Sequence, residues 1–133
     1  MGFVRFVGAH RHRHSGAEIG LFQIAYAIMR DTNTGGAIEH AIRQELNWFR
    51  NNLPVPTRFN RSRSKGYYRR GTKGISWFKD SAAECLARMH VLRQIAETHG
   101  QPITVVTEDR VGYIVYEDDV QVVAEPFADT RTG

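Results

Sequence analysis

Apolar side chains recur at helical spacing, and then at strand spacing, through the C-terminal half of the chain. Ser81 and Glu84 form a capping box that predicts the start of a helix, because the hydroxyl and the carboxylate satisfy free backbone N–H groups; Asp80 is the alternative cap. His99 and Gly100 predict its end, since glycine tolerates positive φ. One face of this helix, apolar except for its arginine, consists of Ala82, Cys85, Leu86, Met89, Leu92, Arg93 and Ala96.

Three short runs rich in β-branched and aromatic residues follow this helix. They are Ile103–Thr107, Tyr113–Tyr116 and Val120–Glu125, and the polar connections Glu108–Gly112 and Glu117–Asp119 separate them. Connections of hairpin length between such runs predict three antiparallel strands in a meander. The two aspartates of the second connection are interpreted as turn formers rather than as a metal-binding pair.

The N-terminal half begins with a nearly continuous apolar run, Phe3–Val7, which predicts a central strand. The polar segment Ala9–Gly16 is interpreted as a connection. A second capping box, formed by Ser15 and Glu18, predicts a helix that extends to about Arg30. This helix is apolar on more than one side, which indicates that it is buried between other elements.

A turn-rich break at Asp31–Gly36 precedes another amphipathic segment. The spacing predicts a helix over Ala37–Arg50, which Pro54 stops because proline clashes with a continuing helix. Phe59–Lys73 shows no apolar periodicity. Ile75–Phe78 is either a short strand or a buried turn.

These elements predict one α+β domain over residues 1–133, in the order β-α-α-(basic loop)-α-β-β-β. The C-terminal strands form an antiparallel meander, the Phe3–Val7 strand joins it, and the helices pack on one face. A chain of 133 residues buries enough surface to fold without a disulfide or a metal. The one cysteine, Cys85, is predicted to be a buried structural thiol. With no signal peptide and no membrane-spanning run, the chain is expected to be cytoplasmic and to have no membrane partner.

The net charge of +4 hides an uneven distribution of charge. A basic loop at about 57–74 has seven basic and no acidic residues, whereas the chain from Glu108 onward is mainly acidic. The loop interleaves cations with aromatic rings, a combination that suits single-stranded nucleic acid because charge meets phosphates and rings stack on bases. The residues predicted to bind nucleic acid or a partner are Arg58, Arg61, Arg63, Lys65, Tyr67, Tyr68, Arg69, Arg70 and Lys73, with Arg11 and Arg13.

Two other interpretations of the basic loop stay open at this point. It can pair with an acidic surface of another protein, or it can be a solvated loop with no specific ligand. The sequence carries no RRM, KH, zinc-finger or helix-turn-helix signature that would decide for nucleic acid.

The run His10-Arg11-His12-Arg13-His14 is the second candidate for chemistry. In an extended chain, His10, His12 and His14 project to one side, where imidazoles can bind zinc or supply acid/base catalysis of the metal-free ribonuclease type. Arg11 and Arg13 repel a cation and no carboxylate lies nearby, so no metal and no cofactor is predicted. The third interpretation is a polar loop with pH-sensitive charge.

Three sets of residues resemble a family of small bacterial proteins of uncharacterised function. They are Val4-Arg5 with Gly20-Leu21-Phe22, Asn52-Leu53-Pro54-Val55-Pro56 with Trp77-Phe78-Lys79, and Tyr116-Glu117-Asp118 with Gln121-Val122-Val123-Ala124. The resemblance implies an α+β domain and supplies no activity, substrate or catalytic residue. The His/Arg run and the basic loop lie outside the shared pattern.

The function predicted from the sequence is that of a small binding protein, rather than an enzyme, which uses the basic loop to contact RNA, single-stranded DNA or a nucleoprotein. One alternative is a small metal-independent ribonuclease that uses the His/Arg run. The other is an accessory or inhibitory protein, from a mobile element, that docks on another protein. The sequence makes no prediction of the oligomeric state.

Overall fold

The computed structural model describes residues 2–11, 18–55 and 74–133, with only the backbone given for residues 10, 11 and 18. The six strands found there are β1 (Phe3–Arg11), β2 (Glu18–Gly20), β3 (Ile75–Lys79), β4 (Thr104–Glu108), β5 (Tyr113–Glu117) and β6 (Gln121–Glu125). The three helices are α1 (Leu21–Arg30), α2 (Gly36–Asn52) and α3 (Ala83–Thr98). The predicted α+β class is confirmed, and the elements follow roughly the predicted order, with β2 and β3 in addition. No helix among these residues is both long and apolar enough to cross a membrane.

Strand β1 is the centre of an antiparallel sheet and uses both of its edges. One edge pairs with β4 from Phe3 to Val7. The other edge pairs with β3 at Phe3 and Val4, and with β2 at Val7 and Arg11. Beyond β3 the sheet continues through β6 to β5. On this second edge, Arg5 and Phe6 therefore lie between the residues that pair with β3 and those that pair with β2.

The predicted meander is only partly present. Strands β5 and β6 form the second predicted hairpin. Strand β4, however, pairs with β1 instead of β5. The connection between β4 and β5 contains Val111, which is buried, and Gly112, which has a φ of +120°. A Cβ at Gly112 would overlap the backbone oxygen of Glu125, so this turn requires glycine.

The predicted helix start at Ser15 and Glu18 is wrong. Glu18 begins β2 and pairs with Arg11, so β1 extends four residues beyond its predicted end at Val7 and includes His10. Helix α1 begins at Leu21, and its N-cap residue, Gly20, makes no side-chain capping bond.

The predicted cap of α3 is also wrong, whereas its C-terminal end is confirmed. Ala82 is the N-cap residue and makes no side-chain capping bond. Asp80 Oδ2 accepts a hydrogen bond from the backbone N–H of Gly2 over 2.8 Å, so this carboxylate joins the start of β1 to the end of β3. At the other end, His99 is the C-cap and Gly100 has a φ of +87°.

The sheet is buried on both faces. As predicted, the helices cover one face, where Leu92 and Met89 of α3 pack with Phe6 and Phe78. The other face, which the sequence analysis did not predict to be buried, carries a smaller core that consists of Val7, Ile75, Trp77, Val106, Val111, Val122 and Ala124. The C-terminal residues are bonded to the sheet: Arg5 Nε donates to the carbonyl of Thr132 over 3.0 Å.

Candidate functional site

A cavity of about 660 Å³ lies beside the stretch of β1 that separates its pairing with β3 from its pairing with β2. Val4, Arg5 and Phe6 of β1 line it on one side. The remaining walls come from the first turns of α1, the C-terminal end of α2 and most of β3. The cavity thus lies in the gap between β3 and β2, which pair with different parts of the same edge of β1. This gap is a consequence of the sheet topology.

Aromatic rings form much of the wall. Phe22 in the first turn of α1 meets Phe49 of α2 edge-on, with ring centroids 4.9 Å apart and an interplanar angle of 78°. Phe78 of β3 completes the group, with its centroid 6.5 Å from that of Phe22 and 6.2 Å from that of Phe49. Edge-to-face contacts of this kind fix ring orientation, so the aromatic wall is preorganised.

The charge on the cavity wall has a single sign. Arg5 and Arg50 are the only charged side chains among the described residues that line it, and no aspartate or glutamate does. Arg50 is exposed in the last turn of α2. An apolar wall with two guanidinium groups and no carboxylate favours a ligand that combines a flat or apolar body with an anionic group.

Trp77 contributes to the lining of the cavity, but its side chain packs in the core on the face of the sheet opposite Phe78. This side chain is only 1% exposed, and its Nε1–H has no hydrogen-bond partner among the described residues. An unmade hydrogen bond on a buried donor costs about 1–3 kcal/mol. The sequence analysis missed Trp77, because the only available signal was a tryptophan in a short apolar run.

A hydrogen-bond network holds the segment that follows α2 against the sheet. Gln121, which is 5% exposed, donates through Nε2 to the carbonyl of Pro54 over 2.6 Å and to Asp118 Oδ2 over 3.0 Å. Tyr116 donates its hydroxyl to the same Oδ2 over 2.7 Å. Asp118 Oδ1 accepts from the backbone N–H groups of Val120 and Gln121. The predicted turn-forming role of Asp118 agrees with these bonds.

The same hydrogen bonds shift the pKa values of Asp118 and Tyr116. Partial burial raises the pKa of Asp118, but the hydrogen bonds from Gln121, Tyr116 and the two backbone N–H groups outweigh it and hold the pKa below its ordinary value. The hydrogen bond to Asp118 raises the pKa of Tyr116, since it stabilises the protonated phenol. The carboxylate is therefore charged in the folded protein at neutral pH.

Most residues that the sequence analysis singled out lie outside the described ranges. These are His12, His14, Arg13, Arg58, Arg61, Arg63, Lys65, Tyr67, Tyr68, Arg69, Arg70 and Lys73. His10 and Arg11 end β1 rather than lying in the connection predicted from Ala9.

The neighbours of these undescribed segments are informative. Val55, the last described residue before the basic loop, lines the cavity, and so does Gly74, the first described residue after it. Gly20 also lines the cavity and ends β2, the strand that follows the His/Arg run. Both ends of the basic loop therefore border this cavity, and β2, which follows the His/Arg run, reaches it at Gly20.

Other reactive groups in the described part of the chain do not form a second site. Cys85 is buried as predicted, and burial, followed by the nearby Glu84 and Asp118 carboxylates, raises the pKa of its thiol. Residues 2–11, 18–55 and 74–133 contain no group of three His, Cys, Asp or Glu side chains able to hold a metal. A second cavity, of about 560 Å³, includes both Arg30 and Asp31 in its lining, so its charge is mixed.

Comparisons with known proteins identify no relative: no protein-family model matches the chain, and neither a curated protein nor a solved structure is detectably similar to it. The resemblance to small bacterial proteins stays a prediction. The functional argument therefore rests on the residues and on the geometry of the cavity.

Proposed function

We propose that this protein is a non-enzymatic binding module that contacts single-stranded nucleic acid, either RNA or single-stranded DNA, alone or within a nucleoprotein. The observation that carries the proposal is that the basic loop joins the described fold beside a cavity whose charged lining, among the described residues, consists of Arg5 and Arg50. Cations and aromatic rings are the two kinds of group that such a ligand needs.

The distribution of charge supports the same proposal. The segments 12–17 and 56–73 contain eight of the 18 basic residues and none of the 14 acidic residues. The rest of the chain is consequently net negative, with ten basic and 14 acidic residues. Affinity for a polyanion is therefore expected to come mainly from the two basic segments and the cavity rim, because the rest of the chain carries a net negative charge.

The decisive experiment measures oligonucleotide binding as a function of salt. Replacing Arg61, Arg63, Arg69 and Arg70 by Ala should weaken binding to single-stranded RNA and DNA. For single strands, each phosphate contact contributes about 0.7 to the slope of log K against log salt, so losing four contacts flattens the slope by about 3.

A matched quadruple variant controls for the change in net charge. Arg30, Arg43, Arg93 and Arg110 lie in the described fold away from the cavity, and their replacement by Ala removes the same number of charges. This control should retain the wild-type slope, apart from a small uniform loss of affinity. Equal slopes for wild type and the loop variant would refute the proposal. Absence of polyanion binding by the wild type at low salt would make a protein partner the leading alternative.

A metal-independent ribonuclease is the second candidate function. It is favoured by the position of Gly20, which ends the strand that follows the His/Arg run and borders the same cavity as Gly74, the first described residue after the basic loop. Such an enzyme should cleave RNA with a bell-shaped pH profile in the presence of EDTA, and replacing His12 and His14 together should abolish cleavage. Binding without cleavage, or cleavage that persists in the double variant, excludes it.

The proposal also concerns the compartment. A protein that binds nucleic acid and carries one free cysteine is suited to the cytoplasm, where thiols stay reduced. Cys85 is buried and takes no part in the proposed binding.

A further inference from the structure

We propose that the 660 Å³ cavity beside β1 is a nucleotide site that accommodates one unpaired base against its aromatic wall and the attached phosphate near Arg5 and Arg50. The ligand chemistry is that of a nucleoside monophosphate, supplied either as a free nucleotide or as one nucleotide of a bound strand. This inference rests on the proposed function for its ligand class, and it assigns the binding to described residues rather than to the basic loop.

The size of the cavity suits this ligand. Small-molecule sites in proteins commonly have volumes of about 300–1,000 Å³ and are mostly apolar, with a few polar groups that orient the ligand. The volume of about 660 Å³ lies within that range. The polar groups available are the guanidinium groups of Arg5 and Arg50, the hydroxyl of Ser76 and the amide of Gln23.

Phe22, which is half-buried, provides the surface for a base, and the buried Phe49 and Phe78 support it. Phe22, Phe49 and Phe78 already orient one another by edge-to-face or tilted contacts. Stacking a base on an aromatic ring is favourable for every base, since all four have a π face. Because the rings are held in place before binding, little side-chain entropy is lost when a base enters.

The charges select the anionic end of the ligand. Arg50 is exposed at the rim, while Arg5 is half-buried and held by its bond to the carbonyl of Thr132. Guanidinium groups bind phosphate through charge-assisted hydrogen bonds, and none of the described residues that line the cavity is a carboxylate that would compete with them. A ligand with a phosphate next to a planar ring matches the arrangement of charged and aromatic walls.

Tryptophan fluorescence offers a direct test. The chain has two tryptophans, and Trp48 does not line the cavity, so a Trp48→Phe variant leaves Trp77 as the single reporter. Titration with AMP and UMP should change its emission saturably. Ribose 5-phosphate, which has no base, and decanoate, which has no ring, should bind at least about tenfold more weakly if the base is recognised.

Two pairs of variants locate the binding. Ser76→Phe fills the cavity, whereas Ser81→Phe places the same ring on an exposed turn outside it. Arg50→Ala removes a rim cation from the last turn of α2, and Arg30→Ala removes the equivalent cation from the last turn of α1. The first member of each pair should weaken AMP binding by about tenfold or more, and the second should leave it unchanged.

The outcomes separate this inference from the proposed function. Saturable AMP binding that Ser76→Phe or Arg50→Ala weakens, and that neither control weakens, establishes the site whether or not oligonucleotides bind. Failure of AMP and UMP to bind at millimolar concentration refutes the site, even if oligonucleotides bind through the basic loop. Tighter binding of decanoate than of either nucleotide also refutes it. Circular dichroism of each variant checks folding, and the Arg50 pair decides if Ser76→Phe does not fold.

Discussion

Replacing Gln121 by Met should destabilise the protein by removing the amide that links the segment after α2 to the turn between β5 and β6. Gln121 Nε2 donates to Pro54 and to Asp118, and methionine has nearly the same volume without the donors. A neutral hydrogen bond contributes about 0.5–1.5 kcal/mol, and one to a charged group about 1.5–3 kcal/mol. Pro54 is exposed and Asp118 is half-buried, so water partly replaces both bonds.

The free energy of unfolding should therefore fall by about 2 kcal/mol, which is the lower end of the combined contribution of the two hydrogen bonds. For a domain of this size, such a loss lowers Tm by about 5–10 °C. Urea unfolding followed by circular dichroism measures it. Gln94→Met, on the exposed side of α3, is the matched control and should change stability by less than about 0.5 kcal/mol.

The pH dependence provides an independent check of the same network. The pKa of Asp118 is lower in the folded protein than its ordinary value of 3.8, so its contribution to stability is fully present above that value. The contribution is lost as the pH falls through the lower, folded pKa. A double-mutant cycle of Gln121→Met and Asp118→Asn should show a coupling energy at pH 6 that shrinks below pH 3.8. A loss below about 0.5 kcal/mol for Gln121→Met, or a coupling unchanged by acid, refutes this account of the network.

Three further predictions concern residues whose surroundings are well defined. Leu92→Ala should lower the free energy of unfolding, measured with urea, by about 2–5 kcal/mol because Leu92 is only 1% exposed. Val91→Ala, at a residue of the same helix that is 42% exposed, should lower it little. Equal losses for the two variants would contradict the assignment of buried and exposed faces of α3. Gly112→Ala should destabilise more than Gly100→Ala: both have positive φ, but an added Cβ overlaps the backbone of β6 only at Gly112. Cys85 should react with a thiol reagent only upon unfolding, since burial raises the pKa of its thiol; rapid labelling of the native protein would contradict that.

Local patterns in the sequence were sufficient to predict several elements. The apolar face that contains Met89 and Leu92 identified α3, because residues three or four apart share a helix face wherever the helix packs. Gly100 marked its end correctly, since positive φ is a property of one residue. The β5–β6 hairpin was also predicted, because a short polar turn forces the two flanking strands to pair.

The starts of two helices were predicted incorrectly because distant groups competed with the local signals. The carboxylate of Asp80 bonds to Gly2, 78 residues away, and Ala82 rather than Ser81 is the N-cap of α3. Glu18 resembled part of a capping box, yet it lies in β2 and its backbone pairs with Arg11 of β1. A capping motif indicates which hydrogen bonds are possible within four residues of the chain. It contains no information about hydrogen-bond partners that are distant in sequence and become neighbours only in the fold.

The sequence by itself determined the class of the fold, the order of its elements and the separation of a basic middle from an acidic C-terminal part, since each depends on composition or on near neighbours. Only the tertiary structure decided that β4 pairs with β1 and that β2 and β3 share the opposite edge. Strand pairing depends on which edges are open after every other element is placed, a long-range property that no local pattern contains. The cavity beside Arg5, with Trp77 and Arg50 in its wall, arises from that pairing.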